Sequence, residues 1–168
     1  MNKQNTSFAF LVHPRDHVDF FRKFPYLKVL PLVIINFLTR NLPPVVVSRV
    51  TGLKSKDGKD IEGHIIAITM TARQMIEDPK HALKKIIQAT KFAQRKNVGI
   101  IGFGALTASF SKGGLDLMKE VEKIGITTGR AYTVKTVTDY AKKCITDFNI
   151  DKTKVKVAIV GAAGSIGS

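Results

Sequence analysis

A glycine-rich run near the end of the chain has the residue spacing that most clearly predicts a functional site. Gly161, Ala162, Ala163, Gly164, Ser165, Ile166 and Gly167 directly follow Val155–Val160, a run of β-branched and small residues that predicts a strand. In the first strand–turn of a dinucleotide-binding fold, Gly161 would allow the tight turn and Gly164 would let backbone amides approach a pyrophosphate. Gly167 would let the next helix pack closely on the strand. We therefore predict that Gly161–Gly167 bind a dinucleotide cofactor.

The motif stops before it is complete. Ser168 is the last residue of the sequence, so the helix whose N-terminus would face the phosphates is not present. The residue about 20 positions further on, which would select NAD or NADP, is also absent. We expect the tail to pack as a stray strand or to fray, and the 168-residue chain by itself to be inactive.

Other reactive side chains give weaker signals. Cys144, the single cysteine, falls on the apolar face of a predicted helix and has no histidine beside it. His13 and His17 are four residues apart, the spacing of two metal ligands on one face of a helix. However, Pro14 lies between them and the sequence offers no Glu-x-x-His partner. We predict no catalytic residue and no metal site.

The charge of the chain favours anionic partners. There are 27 Lys and Arg residues against 13 Asp and Glu, a formal net charge of +14. The sequence contains no arginine-rich run and no zinc-finger spacing, so we do not expect sequence-specific binding to nucleic acid. With one cysteine and no signal-peptide pattern at the N-terminus, we expect a cytoplasmic protein.

A basic and apolar segment near the N-terminus admits two interpretations. The run Val29–Leu38 is far shorter than the ~20 residues that span a bilayer. Cations flank it, so it could lie on a membrane face or line an apolar channel. We favour a buried core element, because apolar runs of this length are usually buried in soluble domains.

The middle of the chain predicts an α/β domain. Val45–Val50 and Ile61–Met70 are β-rich runs joined through Asp57-Gly58, which predicts a hairpin. Thr71 and Asp78 each precede a predicted helix, the first with a capping box and the second with an N1 proline. The second helix is amphipathic: we place one set of residues on its packed face, with Lys84, Lys85, Lys91 and Arg95 mostly elsewhere. The packed set is Leu83, Ile86, Ile87, Thr90 and Ala93.

Three further elements follow. Val98–Gly104 predicts a buried strand that leads into a close-approach loop, although its glycines could simply make turns. A helix is expected from Leu115 to about Lys123. We expect a second helix after it, with one face buried. The residues of that face are Val134, Val137, Ala141, Cys144, Ile145 and Phe148.

We predict an α/β front domain with a mixed sheet and packed helices over residues 1–150. Residues 151–168 would be the first strand and glycine turn of a truncated Rossmann-type domain.

Several of these motifs together resemble the N-terminal part of the long-chain acyl-[acyl-carrier-protein] reductases and their bacterial NAD(P)-binding dehydrogenase relatives. The resemblance runs from about Pro43 onward. It is carried by the segments 58–66, 71–75, 102–107, 127–129 and 157–168.

The resemblance implies an oxidoreductase that reduces a fatty acyl thioester to an aldehyde with NADP as cofactor, NAD being the alternative. It places the acyl-accepting cysteine downstream of the glycine motif, so Cys144 inherits no role. It implies an acidic acyl carrier protein or an acyl-coenzyme A as partner, which suits the positive charge.

Two alternatives stay open. A dehydrogenase of the amino-acid or shikimate type also has a front domain before a nucleotide-binding one, and Thr127 and Thr128 would then help to hold a polar substrate. The other alternative is a non-catalytic basic module that binds acidic proteins or the surface of a membrane.

Overall fold

The described part of the chain forms two compact units. The computed structural model describes residues 7–104, 106–122 and 124–164. One unit comprises Met1–Thr128 and the other Gly129–Ser168. The division into functional domains at residues 150 and 151 stays a prediction.

Helices and strands alternate along most of the chain. The order is β1 (Phe8–Val12), α1 (His17–Lys23), a 3-10 helix (Pro25–Val29), α2 (Leu32–Asn41), β2 (Val45–Lys54), β3 (Asp60–Ala67), α3 (Ala72–Glu77), α4 (Pro79–Arg95), β4 (Ile100–Phe103), α5 (Leu106–Phe110), a second 3-10 helix (Lys112–Leu117), β5 (Gly125–Thr127) and α6 (Arg130–Asp147).

The strands form one mixed sheet in the order β2-β3-β1-β4-β5. β2 runs antiparallel to β3, and the other neighbours are parallel. The predicted hairpin is therefore confirmed, and Gly58 has the positive φ of +74° that its turn requires. The predicted α/β fold class with a mixed sheet is confirmed as well.

The parallel strands have the order of a doubly wound sheet. The chain moves from β1 to β3 on one side and then crosses to β4 on the other, so β1 lies in the centre. In sheets of this kind ligands bind outside the carboxyl ends of the strands, near the point where the order reverses. The residues that follow β1, β3 and β4 are therefore the first place to look for a site.

One face of the sheet is closed. Ala9, Leu11, Ile66, Ile101 and Phe103 alternate along β1, β3 and β4 with exposed fractions of 2% or less. They form the core together with the buried face of α4, which includes the predicted residues Ile86, Thr90 and Ala93. Thr71 caps α3 with a complete capping box, and Asp78 caps α4 ahead of Pro79, as predicted.

The opposite face of the sheet is open along much of its length. Phe10 and Ile100 are exposed there, and Phe8 and Ile65 are half-buried. We call the row that contains these residues the open face. Glycines lie beside its aromatic rings: a Cβ on Gly63 would come within 2.3 Å of the Phe8 ring, and one on Gly102 within 2.7 Å of the Phe10 ring. Gly102 and Gly104 therefore leave room for the Phe10 ring, and neither has a positive φ; the prediction that Val98–Gly104 leads into a close-approach loop stays a prediction.

Helix α2 is fastened to α3 and α4 by polar contacts. Gln74 Nε2 donates to Thr39 Oγ1 (3.0 Å) and to the Asn36 carbonyl (3.1 Å). At the C-terminal end of α2, Lys85 Nζ donates to the carbonyl oxygens of Asn41 (2.8 Å) and Leu42 (2.9 Å). A cation at a helix C-terminus satisfies carbonyls that have no partner within the helix.

Lys85 does not follow the prediction that the lysines of α4 lie mostly away from its packed face. Its side chain is buried, whereas Lys84 is exposed. Burial lowers the pKa of Lys85 because desolvation disfavours the charged ammonium. The two carbonyls at the end of α2 offset that cost by accepting hydrogen bonds from the charged group.

The expectation that Val29–Leu38 is a buried core element is wrong. Val29, Leu32, Val33 and Phe37 are all exposed, and Ile35 is the buried apolar residue of α2. The reason is geometric: α2 touches its neighbours through one face only, so a run that is apolar all round leaves its other faces uncovered.

Two later predictions are also wrong. No helix runs from Leu115 onward: the second 3-10 helix ends at Leu117 and a turn follows, because the chain has to enter β5 at Gly125. Lys123 lies outside the described residues. Helix α6 forms where expected but has no buried residue, and its Cys144 and Ile145 are only half-buried. The rest of its unit, as described, offers only the largely exposed segment 148–164 to cover a helix face.

The contact between Lys85 and the end of α2 can be tested by substitution. Lys85→Met removes the donor to two carbonyls, so we expect the free energy of unfolding to fall by about 1–3 kcal/mol. Urea unfolding followed by circular dichroism measures it. Lys84→Met, at the exposed neighbour, is the matched control and should change stability by less than ~0.5 kcal/mol. Equal unfolding midpoints for the two variants would contradict the assigned contact.

Candidate functional site

The glycine motif forms a tight turn. Gly161 has a φ of +78°, in the left-handed region where glycine is favoured, and the Gly164 amide donates to the Gly161 carbonyl at 2.8 Å. A Cβ on Gly164 would lie 3.0 Å from that same oxygen. Gly161 and Gly164 thus close a tight turn, and their role as cofactor residues stays a prediction. Ser165, Ile166 and Gly167, the other predicted cofactor residues, lie outside the described part of the chain, as does the terminal Ser168.

The strand predicted at Val155–Val160 is absent. Residues 155–159 form no strand, and Val157, Ile159 and Val160 are exposed. A strand needs a neighbour for its backbone hydrogen bonds, and the described part of Gly129–Ser168 contains none. The turn is therefore present without the preceding strand that would orient it. Exposed Ala162 and Ala163 complete it.

A second candidate site lies at the carboxyl edge of the five-stranded sheet. A cavity of about 230 Å³ opens there between α1 and the sheet. Its walls come from the ends of β1 and β3, the start of β2, and one face of α1. The lining residues are Val12, His13, Pro14, Asp19, Phe20, Lys23, Phe24, Val45, Val47, Ala67 and Thr69. We call it the apolar cavity, because most of its wall is aliphatic or aromatic.

The apolar cavity joins the open face of the sheet. Val12 and Ala67 line the cavity and pair with each other across β1 and β3. Phe10 and Ile65 pair in the same way two residues earlier, on the same face. Side chains alternate between faces along a strand, so these four residues form one continuous apolar strip that begins in the cavity.

Polar atoms lie at the mouth of the apolar cavity. His13 Nδ1 lies 3.1 Å from the Pro14 carbonyl oxygen, so in neutral imidazole it carries the proton and Nε2 is an acceptor. His13 Nε2 is buried and has no hydrogen-bond partner among the described residues. Asp19 accepts from the Arg15 backbone amide at 3.0 Å, and this bond together with the Arg15 side chain lowers the pKa of that carboxyl. Lys23 Nζ donates to the Val47 carbonyl at 2.9 Å.

A basic cleft of about 630 Å³ uses the same loop after β1. Three arginines line it, Arg15, Arg40 and Arg73, together with His17, whose buried Nδ1 also lacks a partner among the described residues. Acidic side chains oppose this charge: Arg15 pairs with Asp19, Arg40 with Asp78, and Arg73 Nε lies 2.7 Å from Glu77 Oε1. Asp16 and Glu77 also line the cleft, so its positive field is reduced.

The remaining sequence candidates do not assemble into a site. Cys144 is half-buried on α6 and forms no disulfide. His13 and His17 are not part of a metal cluster, since the described residues contain no group of three or more His, Cys, Asp and Glu side chains that could hold an ion. Among those same residues, no helix is long and apolar enough to cross a membrane.

The apolar cavity has no direct signal in the sequence. Its residues come from α1, β1, β2 and β3, which are far apart along the chain, and each looks like an ordinary core residue. One available signal was the spacing of Phe20 and Phe24, two aromatic residues four positions apart, although Phe24 lies just beyond the end of α1.

Comparison with known proteins supports the family resemblance that the sequence motifs indicate. No family model matches the chain. Long-chain acyl-[acyl-carrier-protein] reductase of Synechococcus elongatus is 29% identical over 133 residues, which cover 75% of this chain. The chain spans only 39% of the length of that relative. The resemblance predicted from the motifs is confirmed: over three quarters of its length, this chain is similar to a long-chain acyl-[acyl-carrier-protein] reductase.

Proposed function

We propose that the chain is the front part of an NAD(P)H-dependent reductase that converts a fatty acyl thioester to an aldehyde. The thioester would be carried by an acyl carrier protein or by coenzyme A. The similarity to a long-chain acyl-[acyl-carrier-protein] reductase suggests this chemistry. The structural observation that carries the proposal is the apolar cavity, which lies at the carboxyl edge of a parallel sheet where such folds bind ligands.

The acyl chain would occupy the apolar cavity and continue along the open face. Phe20 of α1, Phe24 directly after it, and Val12 and Ala67 of the sheet offer uncharged surface to the methylene groups. Each methylene that leaves water contributes ~0.8 kcal/mol, so a long chain gains affinity from every residue of this strip that it covers. Phe10, exposed on the same face, extends the strip beyond the cavity.

The polar part of the substrate would lie at the cavity mouth. A pantetheine arm carries amide N–H groups, and His13 Nε2 is a buried acceptor in need of a donor. The phosphate of the arm would face the neighbouring basic cleft, where Arg15 and Arg73 supply cations. The net charge of +14 would attract an acidic carrier protein.

The cofactor would be NADP, with NAD as the alternative, held at Gly161–Gly167. The shape of the Gly161–Gly164 turn fits a dinucleotide, because neither residue has a side chain to obstruct a phosphate. When bound, the cofactor supplies the hydride that reduces the acyl carbon. The thiol that accepts the acyl group would follow the glycine motif, as the resemblance implies, and Cys144 takes no part.

The apolar character of the cavity favours an acyl substrate over a polar one. A dehydrogenase of the amino-acid or shikimate type needs several hydrogen-bonding groups around its substrate. Seven of the eleven residues that line the apolar cavity are aliphatic or aromatic, and the polar ones are His13, Asp19, Lys23 and Thr69. The proposal therefore makes a specific claim about where the hydrocarbon lies.

Filling the apolar cavity should weaken acyl binding. Ala67→Phe places a ring where we position several methylenes, so the affinity of the 168-residue chain for palmitoyl-coenzyme A should fall at least about tenfold. Isothermal titration calorimetry measures it. Ser109→Phe, at an exposed position of α5, introduces the same side chain outside the cavity and should leave the affinity unchanged.

Two outcomes would contradict this assignment. One is equal affinity of the wild type and Ala67→Phe for palmitoyl-coenzyme A. The other is equal affinity of the wild type for palmitoyl-coenzyme A and for coenzyme A without an acyl chain. Circular dichroism of the variant shows whether a loss of affinity reflects a loss of fold.

Gly164→Asp tests the cofactor site in the full-length reductase of which we propose this chain to be the front part. A Cβ at this position would lie 3.0 Å from the Gly161 carbonyl oxygen, and the added carboxylate would repel a pyrophosphate. We expect the affinity for NADPH to fall by at least about tenfold, together with aldehyde formation from a palmitoyl thioester. Ala141→Asp, exposed on α6, adds the same charge and should change neither. Unchanged NADPH affinity in Gly164→Asp would show that the motif assignment is wrong.

A further inference from the structure

An exposed apolar surface surrounds the first turns of α2. Tyr26, Val29, Leu32, Val33 and Phe37 have exposed fractions between 60% and 84%. We call these five residues the apolar patch. They lie on the 3-10 helix Pro25–Val29 and on the adjoining α2. Bulky apolar side chains grouped in this way on a surface mark a contact with another molecule or with a membrane.

The apolar patch is presented on a fixed support. Ile35 and Thr39 are buried on the side of α2 opposite Val33 and Phe37, and Gln74 of α3 forms a hydrogen bond with Thr39. Lys85 holds the carbonyls at the end of the helix. These contacts keep α2 from rotating to bury its apolar side, so the patch stays directed outward.

Cations predominate on the segments that carry the apolar patch. From Phe20 to Asn41 there is no Asp or Glu, whereas four cations occur: Arg22, Lys23, Lys28 and Arg40. Asp19 pairs with Arg22 and Asp78 with Arg40, and Asp16 and Glu77 line the basic cleft beside Leu32 and Phe37. Lys28, between Tyr26 and Val29, has no ion pair within the described part of the chain. A surface of this composition attracts anions and offers hydrocarbon at the same place.

We propose that the apolar patch docks on an anionic lipid bilayer. An apolar face flanked by lysine and arginine inserts into the interface between headgroups and acyl chains, while the cations attract anionic lipids. Helix α2 has ten residues, far fewer than the ~20 needed to span, so it would lie in the plane of the interface. This contact is independent of the proposed enzymatic function.

The charge argues against a second copy of the chain as the occupant. In a symmetric dimer the same surface meets itself, so Lys28, which lies within the patch, and the neighbouring cations of α1 and α2 in one copy would face those of the other. Like charges at an interface oppose association, whereas an anionic bilayer relieves the repulsion. The bilayer is therefore the occupant that suits both the apolar residues and their charged surroundings.

Co-sedimentation with vesicles tests the proposal on the 168-residue chain. The probes are vesicles of phosphatidylcholine alone and vesicles that also contain phosphatidylglycerol. We expect binding to the anionic vesicles, with a partition that falls at least about tenfold in the double variant Val33→Asp, Phe37→Asp, because two inserted side chains become charged. Leu115→Asp, exposed in the second 3-10 helix, is the control for added charge and should bind like the wild type.

Tryptophan fluorescence locates the contact. The chain contains no tryptophan, so Phe37→Trp provides a single reporter within the apolar patch. Its emission should shift to the blue on anionic vesicles, because the ring leaves water, whereas Leu115→Trp should show no shift. Both variants keep a bulky apolar residue at an exposed position, so neither should disturb the fold.

Three results would overturn the proposal. The first is no binding to anionic vesicles by a folded wild-type chain. The second is binding that the double variant retains, which would reflect net charge alone. The third is a concentration-dependent dimer without vesicles that Val33→Asp, Phe37→Asp dissociates, which would identify a second copy as the occupant.

Discussion

The central position of β1 is the constraint on which the rest of the fold depends. Its two neighbours, β3 and β4, both run parallel to it, so its side chains alternate between the two faces of the sheet. Ala9 and Leu11 point to the closed face and are buried by the helices. Phe8 and Phe10 point to the open face, where neighbouring glycines leave room for their rings. A one-residue change of register would exchange these two sets and remove the core.

Helices cover the two faces of the sheet to different extents, and this difference leaves the space in which we place the substrate. Helix α1 covers only the carboxyl end of the open face, and the apolar cavity lies in the space between them. The loop after β1 then borders both this cavity and the basic cleft, so hydrocarbon and anion sites adjoin. Helix α2, fastened by Gln74 and Lys85 through one side, leaves a second apolar surface outside. The first surface exists because one face of the sheet is covered only in part, and the second because α2 contacts its neighbours through one side.

Local signals in the sequence predicted much of this fold. Asp57-Gly58 identified the hairpin, Thr71 the capping box of α3, and Pro79 the start of α4, because each depends on hydrogen bonds or dihedral angles within a few residues. The shape of the Gly161–Gly164 turn is local in the same sense.

Features that need distant partners were predicted less well. Val155–Val160 has the composition of a strand but no neighbouring strand among the described residues, and Val29–Leu38 is apolar but exposed because α2 contacts its neighbours through one side. The order of the sheet and the apolar cavity depend on contacts between residues far apart along the chain, such as Val12 with Ala67. Composition and spacing do not specify such contacts.

Amide chemical-shift mapping of the isotope-labelled 168-residue chain with palmitoyl-coenzyme A tests the central claim most directly. If the acyl chain enters the apolar cavity and follows the open face, the largest changes should appear at Val12, Phe20, Ala67 and Phe10. Coenzyme A alone should not produce them. Changes confined to the opposite edge of the sheet, around Gly52 and Asn97, or no changes that depend on the acyl chain, would contradict the account.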